Sequence, residues 1–246
     1  TNPTLGAALA NLPDEIFMHW ATAFTDTASL VALNANLNAR WGPLLMLEGH
    51  LLAFRKGTVA QRQTFGTARN DIHTTCAGLH NSPTPAYEAA AALCGQVSAA
   101  GSIDPARPFN GLPLLGVLAP VEADRDSIEE RNLLLYAGMS TCSVGSDGTV
   151  YIEKLITMYQ KNAFNVPDAS WLSINIPLTL AAMRQTARDR LYSRFIAQRF
   201  KLVDDGTPTP SGSKQVSPRI IRTELIALAG DWVEVGWMEN LEQFAE

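Results

Sequence analysis

No stretch of this sequence is apolar for long enough to span a bilayer, and no charged-then-apolar leader opens it, which sets aside membrane insertion. Cysteine is scarce. Cys76, Cys94 and Cys142 lie far apart, form no CxxC pair and are odd in number, so they read as free thiols of a cytosolic protein rather than as a disulfide framework. Charge is also sparse, at 17% against the usual quarter, as in proteins that bury part of their surface against partners. The net charge of -5 excludes no nucleic-acid contact by itself, but no Lys/Arg block is there to neutralise a phosphate backbone, and nucleic acid is not expected as a direct partner. Internal repeats, heptads and low-complexity tracts are missing too.

At 246 residues the chain can build one large domain or two modest ones. It starts at Thr1 rather than at a methionine, in front of a short helical run (Leu5 to Leu9), and is expected to be a fragment. The first half alternates strand and helix signals. Glu15 to Trp20 predicts a short buried strand, and Thr25-Asp26 caps a helix with Leu30, Leu33, Leu37 and Trp41 at helical spacing. Gly42-Pro43 stops that helix. Leu44 to Leu47 predicts a second strand, Thr58 to Thr67 a polar helix, and His73 to Leu79 a third strand. Thr84 is expected to cap a helix with Pro85 at its first position, continuing through the alanine-rich run Ala89 to Ala100. Strands spaced by helices predict parallel pairing with covered faces.

Ile103 to Pro120 is punctuated by prolines and predicts a connector with one extended segment, Leu114 to Leu118. Beyond it, Asp126-Ser127 caps a helix ended by Gly138. A hairpin follows: Ser140 to Val144, a turn at Ser146-Asp147-Gly148, then Thr149 to Met158. A long helix is expected from Pro177 to Phe200, with Leu180, Met183, Ala187, Leu191 and Phe195 as its buried stripe. Asp204 to Ser217 is a polar loop, and Ser217-Pro218 opens a last helix with Ser as cap and Pro in its first turn.

Catalytic chemistry is hard to place on these residues. No G-x-S-x-G elbow exposes a serine, and no G-x-G-x-x-G or Walker loop joins a strand to a helix. The glycines of Gly145-Ser146-Asp147-Gly148 belong to the hairpin turn. His19, His50, His73 and His80 are the candidate bases. His19 sits in an apolar run and reads as structural, and His50 follows a glycine after a strand but has no partner nucleophile in sequence. Cys76 and His80 straddle a strand and its loop, without a second pair to complete a metal site. Asp204-Asp205 and Glu129-Glu130 read as solvated surface. No catalytic residue, cofactor site or metal site is therefore assigned.

Charge is distributed unevenly near the end. Pro177 to Lys201 carries a net +5, and Arg219 to Glu246 a net -4. Such opposition more often links helices within one subunit, and the sharper alternative is plus-to-minus docking between copies.

Several runs resemble one family along nearly the whole chain and in the same order. They are Trp41-Gly42-Pro43, Ser82-Pro83-Thr84-Pro85 with Tyr87-Glu88, Asp104-Pro105-Ala106-Arg107-Pro108, Leu112 to Pro120 and Glu130 to Tyr136. Ile152 to Thr157 and Tyr159 to Phe164 are the closest, and Lys201-Leu202, Asp204 to Thr207 and Ile220 to Ile226 complete the set. They resemble the contractile tail sheath proteins of Mu-like bacteriophages. The resemblance implies a structural subunit that polymerises around an inner tail tube on a baseplate and contracts to drive the tube through the host envelope for genome ejection. Its implied partners are other sheath subunits, the tail tube protein, and baseplate and tail terminator proteins. Its implied location is the virion tail, with the host cytoplasm during assembly. The family also has a region before this one and a β-arm after it, so this piece alone is expected to be monomeric.

The fold expected is α/β, with a mainly parallel sheet and flanking helices (a subtilisin-like sheath core) over residues 1–121. An α+β subdomain with a β-hairpin and a long helix is expected over 122–246. The competing functions are an α/β hydrolase-like enzyme using His50 or His73, and a ligand-binding module lined by the five Trp and five Tyr.

Overall fold

The computed structural model describes residues 4–208, 210 and 212–245. Thr1, the loop positions Thr209 and Ser211, and Glu246 of the acidic stretch lie outside the described residues. The chain divides into two compact units, Thr1–Leu178 and Thr179–Glu246.

The first unit opens with a short helix, α1 (Gly6–Ala10), followed by β1 (His19–Ala21), α2 (Thr27–Trp41), β2 (His50–Lys56), α3 (Val59–Thr67), β3 (Thr74–Leu79) and α4 (Ala86–Gly101). The three strands form a parallel sheet in the order β1-β2-β3, with His19 opposite His50 and Leu51 opposite Thr74. Parallel pairing demands crossovers, which α2 and α3 supply. Each crossover begins at a local signal. Asp26 accepts from the Ser29 amide at 3.0 Å, and Thr58 forms a reciprocal capping box with Gln61.

Two expected features differ. Leu44 to Leu47 is a turn rather than a strand, because α2 is closed by backbone bonds from Leu47 N to Arg40 O and from Met46 N to Gly42 O, with Met46 at φ 53°. Only His19–Ala21 of the run from Glu15 is strand. The carbonyls of Pro13 and Glu15 accept from the Arg40 guanidinium, and that of Phe17 accepts from Trp20 Nε1, so the segment is tied to side chains instead of to a ladder.

The second sheet is antiparallel, in the order β4-β6-β5, from β4 (Pro113–Leu118), β5 (Thr141–Val144) and β6 (Thr149–Lys154). The sheets are thus a parallel trio beside an antiparallel trio, and not one mainly parallel sheet. β4 precedes the turn Glu122–Asp124 and α5 (Ile128–Tyr136), whereas its partner β6 follows them. The proline-rich connector ending near Val121 therefore lies inside the first compact unit. The hairpin closes as the residues predict, with Gly148 at φ 81° and Gly145 N bonded to Thr149 O, although β6 ends at Lys154 and not at Met158. A bridge from Ala77 to Ser140 joins the parallel trio to β5.

One core serves both sheets. Leu52, Phe54, Ala77 and Leu79 meet Ala89, Leu93 and Val97 of α4, and continue into Leu114, Val117, Val150 and Ile152. The small residues of α4 let it lie close to the strands. Each buried Leu or Val side chain is worth about 1.5–3 kcal/mol. The cap of α4 is Pro85 rather than Thr84, whose hydroxyl instead accepts from Leu118 N at 2.8 Å.

The second unit holds most of α6 (Asn175–Leu191), a π-helical turn at Tyr192–Ile196, the paired strands β7 (Lys201–Leu202) and β8 (Gln215–Val216), α7 (Pro218–Glu234) and α8 (Leu241–Ala245). The long helix expected to Phe200 stops regular winding at Leu191, and the segment ends at Arg199 with φ 58°, where Phe195 meets Phe200 edge-on. Met183 and Ala187 of the expected stripe pack on Leu228, Ala229 and Trp232 of α7. Among the described residues no helix is long and apolar enough to cross a membrane.

Candidate functional site

The four histidines go to two places. His19, His50 and His73 are brought together at the start of the parallel sheet, where His19 and His50 are in register. His50 is fully buried, and its Nε2 lies 2.8 Å from Thr75 Oγ1. This is the nearest approach to a base beside a hydroxyl, but both groups are enclosed: His50 is 1% exposed and Thr75 0%. Burial pushes the His50 imidazole well below its usual range, and the neighbouring His73 and His19 push it the same way. His73 stacks on Trp41, with ring centroids 4.7 Å apart. His50 and His73 are thus enclosed at the sheet end while His19 is half-buried, and the one imidazole beside a hydroxyl, His50, faces no solvent.

His80 lies apart, 3.6 Å from Asp124, beside a groove of about 290 Å³ that also takes in Thr58 and Asp126. Cys76 is buried on β3 and its thiol is pushed up to about 12 by desolvation, so it is a poor nucleophile and a poor ligand. Among the described residues no cluster of three His, Cys, Asp or Glu side chains could hold a metal ion.

The arginines were not singled out by the sequence patterns, and they organise the first unit. Arg62 on α3 is 1% exposed. It bonds to the carbonyls of Gly57 and Gly78 and pairs with Asp126 at the start of α5. Arg69 pairs with Asp71 at 2.5 Å. Arg55, at the carboxyl end of β2, donates to Thr25 O at 3.2 Å and lies over the Phe65 ring at 4.3 Å. A basic pair closing the apolar run Leu51 to Phe54 was the available signal for Arg55.

In the second unit the opposite charges meet internally. Arg190 pairs with Glu224 at 3.1 Å and with Asp231, and Arg194 with Glu224 at 3.2 Å. The commoner reading of the charge asymmetry, helix linkage within a subunit, holds for these residues.

Large apolar side chains are left in solvent on several elements. Leu115 and Leu118 of β4 are 74% and 60% exposed, and Ile128 and Tyr136 of α5 are 72% and 80% exposed. The outer side of β4 carries no strand among the described residues, and the hydroxyls of Ser82 and Thr84 bond to the Leu118 backbone there.

Comparison with known proteins agrees. Residues 1–158 match the phage tail sheath protein central domain. The chain is 40% identical over 243 residues to the Mu-like prophage FluMu tail sheath protein of Haemophilus influenzae, covering 99% of this chain and 49% of that relative. The solved sheath tail protein of Listeria innocua superposes with a TM-score of 0.64 at 14% identity, over 94% of this chain and 49% of the other. The helical sheath of the anti-feeding prophage in its contracted state gives 0.56 at 15% identity, over 94% and 59%. The chain spans about half the length of the curated relative it matches. It belongs to the phage tail sheath protein family.

Proposed function

We propose that this chain is the central part of a structural subunit of a contractile phage tail sheath. In this reading it polymerises with other copies around the inner tail tube and contracts to drive that tube through the host envelope. The observation that carries the reading is the 40% identity to a Mu-like tail sheath protein, sustained over 99% of the chain. The exposed apolar side chains of β4 and α5 support it as surface for neighbouring subunits, and the enclosed His50 beside Thr75 offers no accessible base.

Contraction needs rigid bodies whose mutual contacts switch between two packings. The shared core of the two sheets and the buried Arg62–Asp126 pair give this chain the rigidity such a body requires. The further partners in this proposal are the tail tube, baseplate and tail terminator proteins. The location is the virion tail, reached after assembly in the host cytoplasm. We also propose that the parallel trio with its helices is the remnant of a larger subtilisin-like sheath core.

The test is a chimera in which this chain replaces the matching half of the Haemophilus prophage sheath protein. Negative-stain microscopy of the purified chimera is expected to show hollow tubes, and the 246-residue chain alone to scatter light as a monomer. A chimera that stays monomeric while the parent protein forms tubes would count against the proposal.

A further inference from the structure

The run Ser82-Pro83-Thr84-Pro85 links β3 to α4 and lies against the outer edge of β4. Its residues alternate: Ser82 and Thr84 are 1% and 4% exposed, whereas Pro83 between them is exposed. The two buried hydroxyls do what a neighbouring strand would do. Leu118 N donates to Thr84 Oγ1 at 2.8 Å, and Leu118 O accepts from Ser82 Oγ at 2.6 Å. Thr84 Oγ1 also donates to Gly116 O at 3.4 Å. Both main-chain groups of Leu118 are therefore taken on the side away from β6, the strand that pairs with β4. Pro83 and Pro85 have no amide, so this strap offers little to a further strand in its turn. At the other end of β4 Pro113 also lacks an amide, and Gly116, at φ 82°, breaks the register with β6. Thr84 serves this edge and not α4, whose N-cap, Pro85, makes no side-chain cap bond.

An edge strand with unpaired N–H and C=O groups is a template for another chain. Leu115 and Leu118, 74% and 60% exposed, would add apolar contact to such pairing. We infer that the strap of residues 82–85 is an edge guard, which closes β4 against antiparallel strand addition by β4 of a second copy of this chain. Two identical edges can pair in that way across a two-fold axis. The guard follows from the geometry alone, and its use rests on the assembly reading above, in which many copies are held close together. There it leaves neighbouring copies to meet through side chains, whose contacts can exchange, and not through a shared ladder.

The test is the double variant Ser82→Ala, Thr84→Val, which removes both hydroxyls and nearly keeps their volumes. Hydrogen exchange at the Leu118 amide and light-scattering mass against concentration are measured on the 246-residue chain. Exchange should quicken about tenfold or more, which shows the edge open. The mass should rise about twofold with concentration while the parent chain stays monomeric. Adding Leu118→Pro removes the outward amide that strand addition needs and should return the chain to a monomer. An opened edge on a chain that stays monomeric overturns the inference. So does association that persists with Leu118→Pro, because it then comes from unfolding. Unchanged exchange at Leu118 overturns it as well, since the hydroxyls would not be what closes the edge. Tube formation by the chimera is scored separately, so the failure of one reading leaves the other standing.

Discussion

Arg62 and Asp126, 64 positions apart, form a forked ion pair with Nη1 to Oδ2 at 2.9 Å and Nη2 to Oδ1 at 2.5 Å. Their side chains are 1% and 6% exposed. The pair fastens α3 to the residue that precedes the cap of α5, so it holds the two sheets' crossing segments in one arrangement. Removing one partner leaves a buried charge alone. Arg62→Ala or Asp126→Ala should each cost about 3–5 kcal/mol in urea unfolding, and the double replacement Arg62→Met, Asp126→Leu should cost less than the two single changes summed.

Arg190 gives the contrasting case. It pairs with Glu224 and Asp231, but its side chain is 29% exposed and Asp231 is 58% exposed. Solvent screens such pairs, and Arg190→Ala should lower stability by about 0–1 kcal/mol, with the difference shrinking in 0.5 M salt.

His50 makes stability depend on pH. Its folded-state imidazole titrates well below 6.5, so between that lowered value and 6.5 the unfolded chain binds the proton and the folded chain does not. Stability is therefore full above about pH 6.5 and falls as pH drops, by at most about 1.4 kcal/mol per pH unit for one proton. Urea midpoints measured from pH 7.5 to 5 should decline, and His50→Gln should flatten the decline.

Gly66 sits where α3 crosses the end of α5. A Cβ there would lie 2.8 Å from Met139 Cγ and closer still to the Ala137 carbonyl oxygen. Backbone cannot yield as a side-chain tip can. Gly66→Ala should destabilise the first unit by about 1–3 kcal/mol or more, visible as a lower Tm, despite alanine's better helix propensity.

Cys76 and Cys142 are buried, with thiols pushed up to about 12, while Cys94 is only half-buried. Iodoacetamide at pH 8 should label Cys94 first in the native chain, and all three cysteines in denaturant. Rapid native labelling of Cys76 would mean the parallel sheet opens far more often than its packing implies.

What was legible in the sequence was local. The Ser127–Glu130 capping box, the Asp147-Gly148 turn and the alanine-rich α4 each depend on residues within one or two turns of each other. The turn at Leu44 to Leu47 misled because four apolar residues say nothing of the glycine-led cap bonds that curl them. The three-histidine row was invisible for a different reason. His19, His50 and His73 meet only once strand register is set, and register is a long-range property. Arg55 over Phe65 likewise needs the end of β2 and the face of α3 placed together. The family resemblance was legible because it rests on whole runs of residues kept in order, which no fold calculation is needed to see.

The most direct measurement is complementation of a Mu-like prophage that lacks its own sheath protein, supplied with the chimera carrying this chain. Electron microscopy of induced lysates should show tails with a sheath around the tube, in extended and contracted lengths, and plaque formation should return. Bare tubes without a sheath, beside abundant folded chimera, would contradict the account.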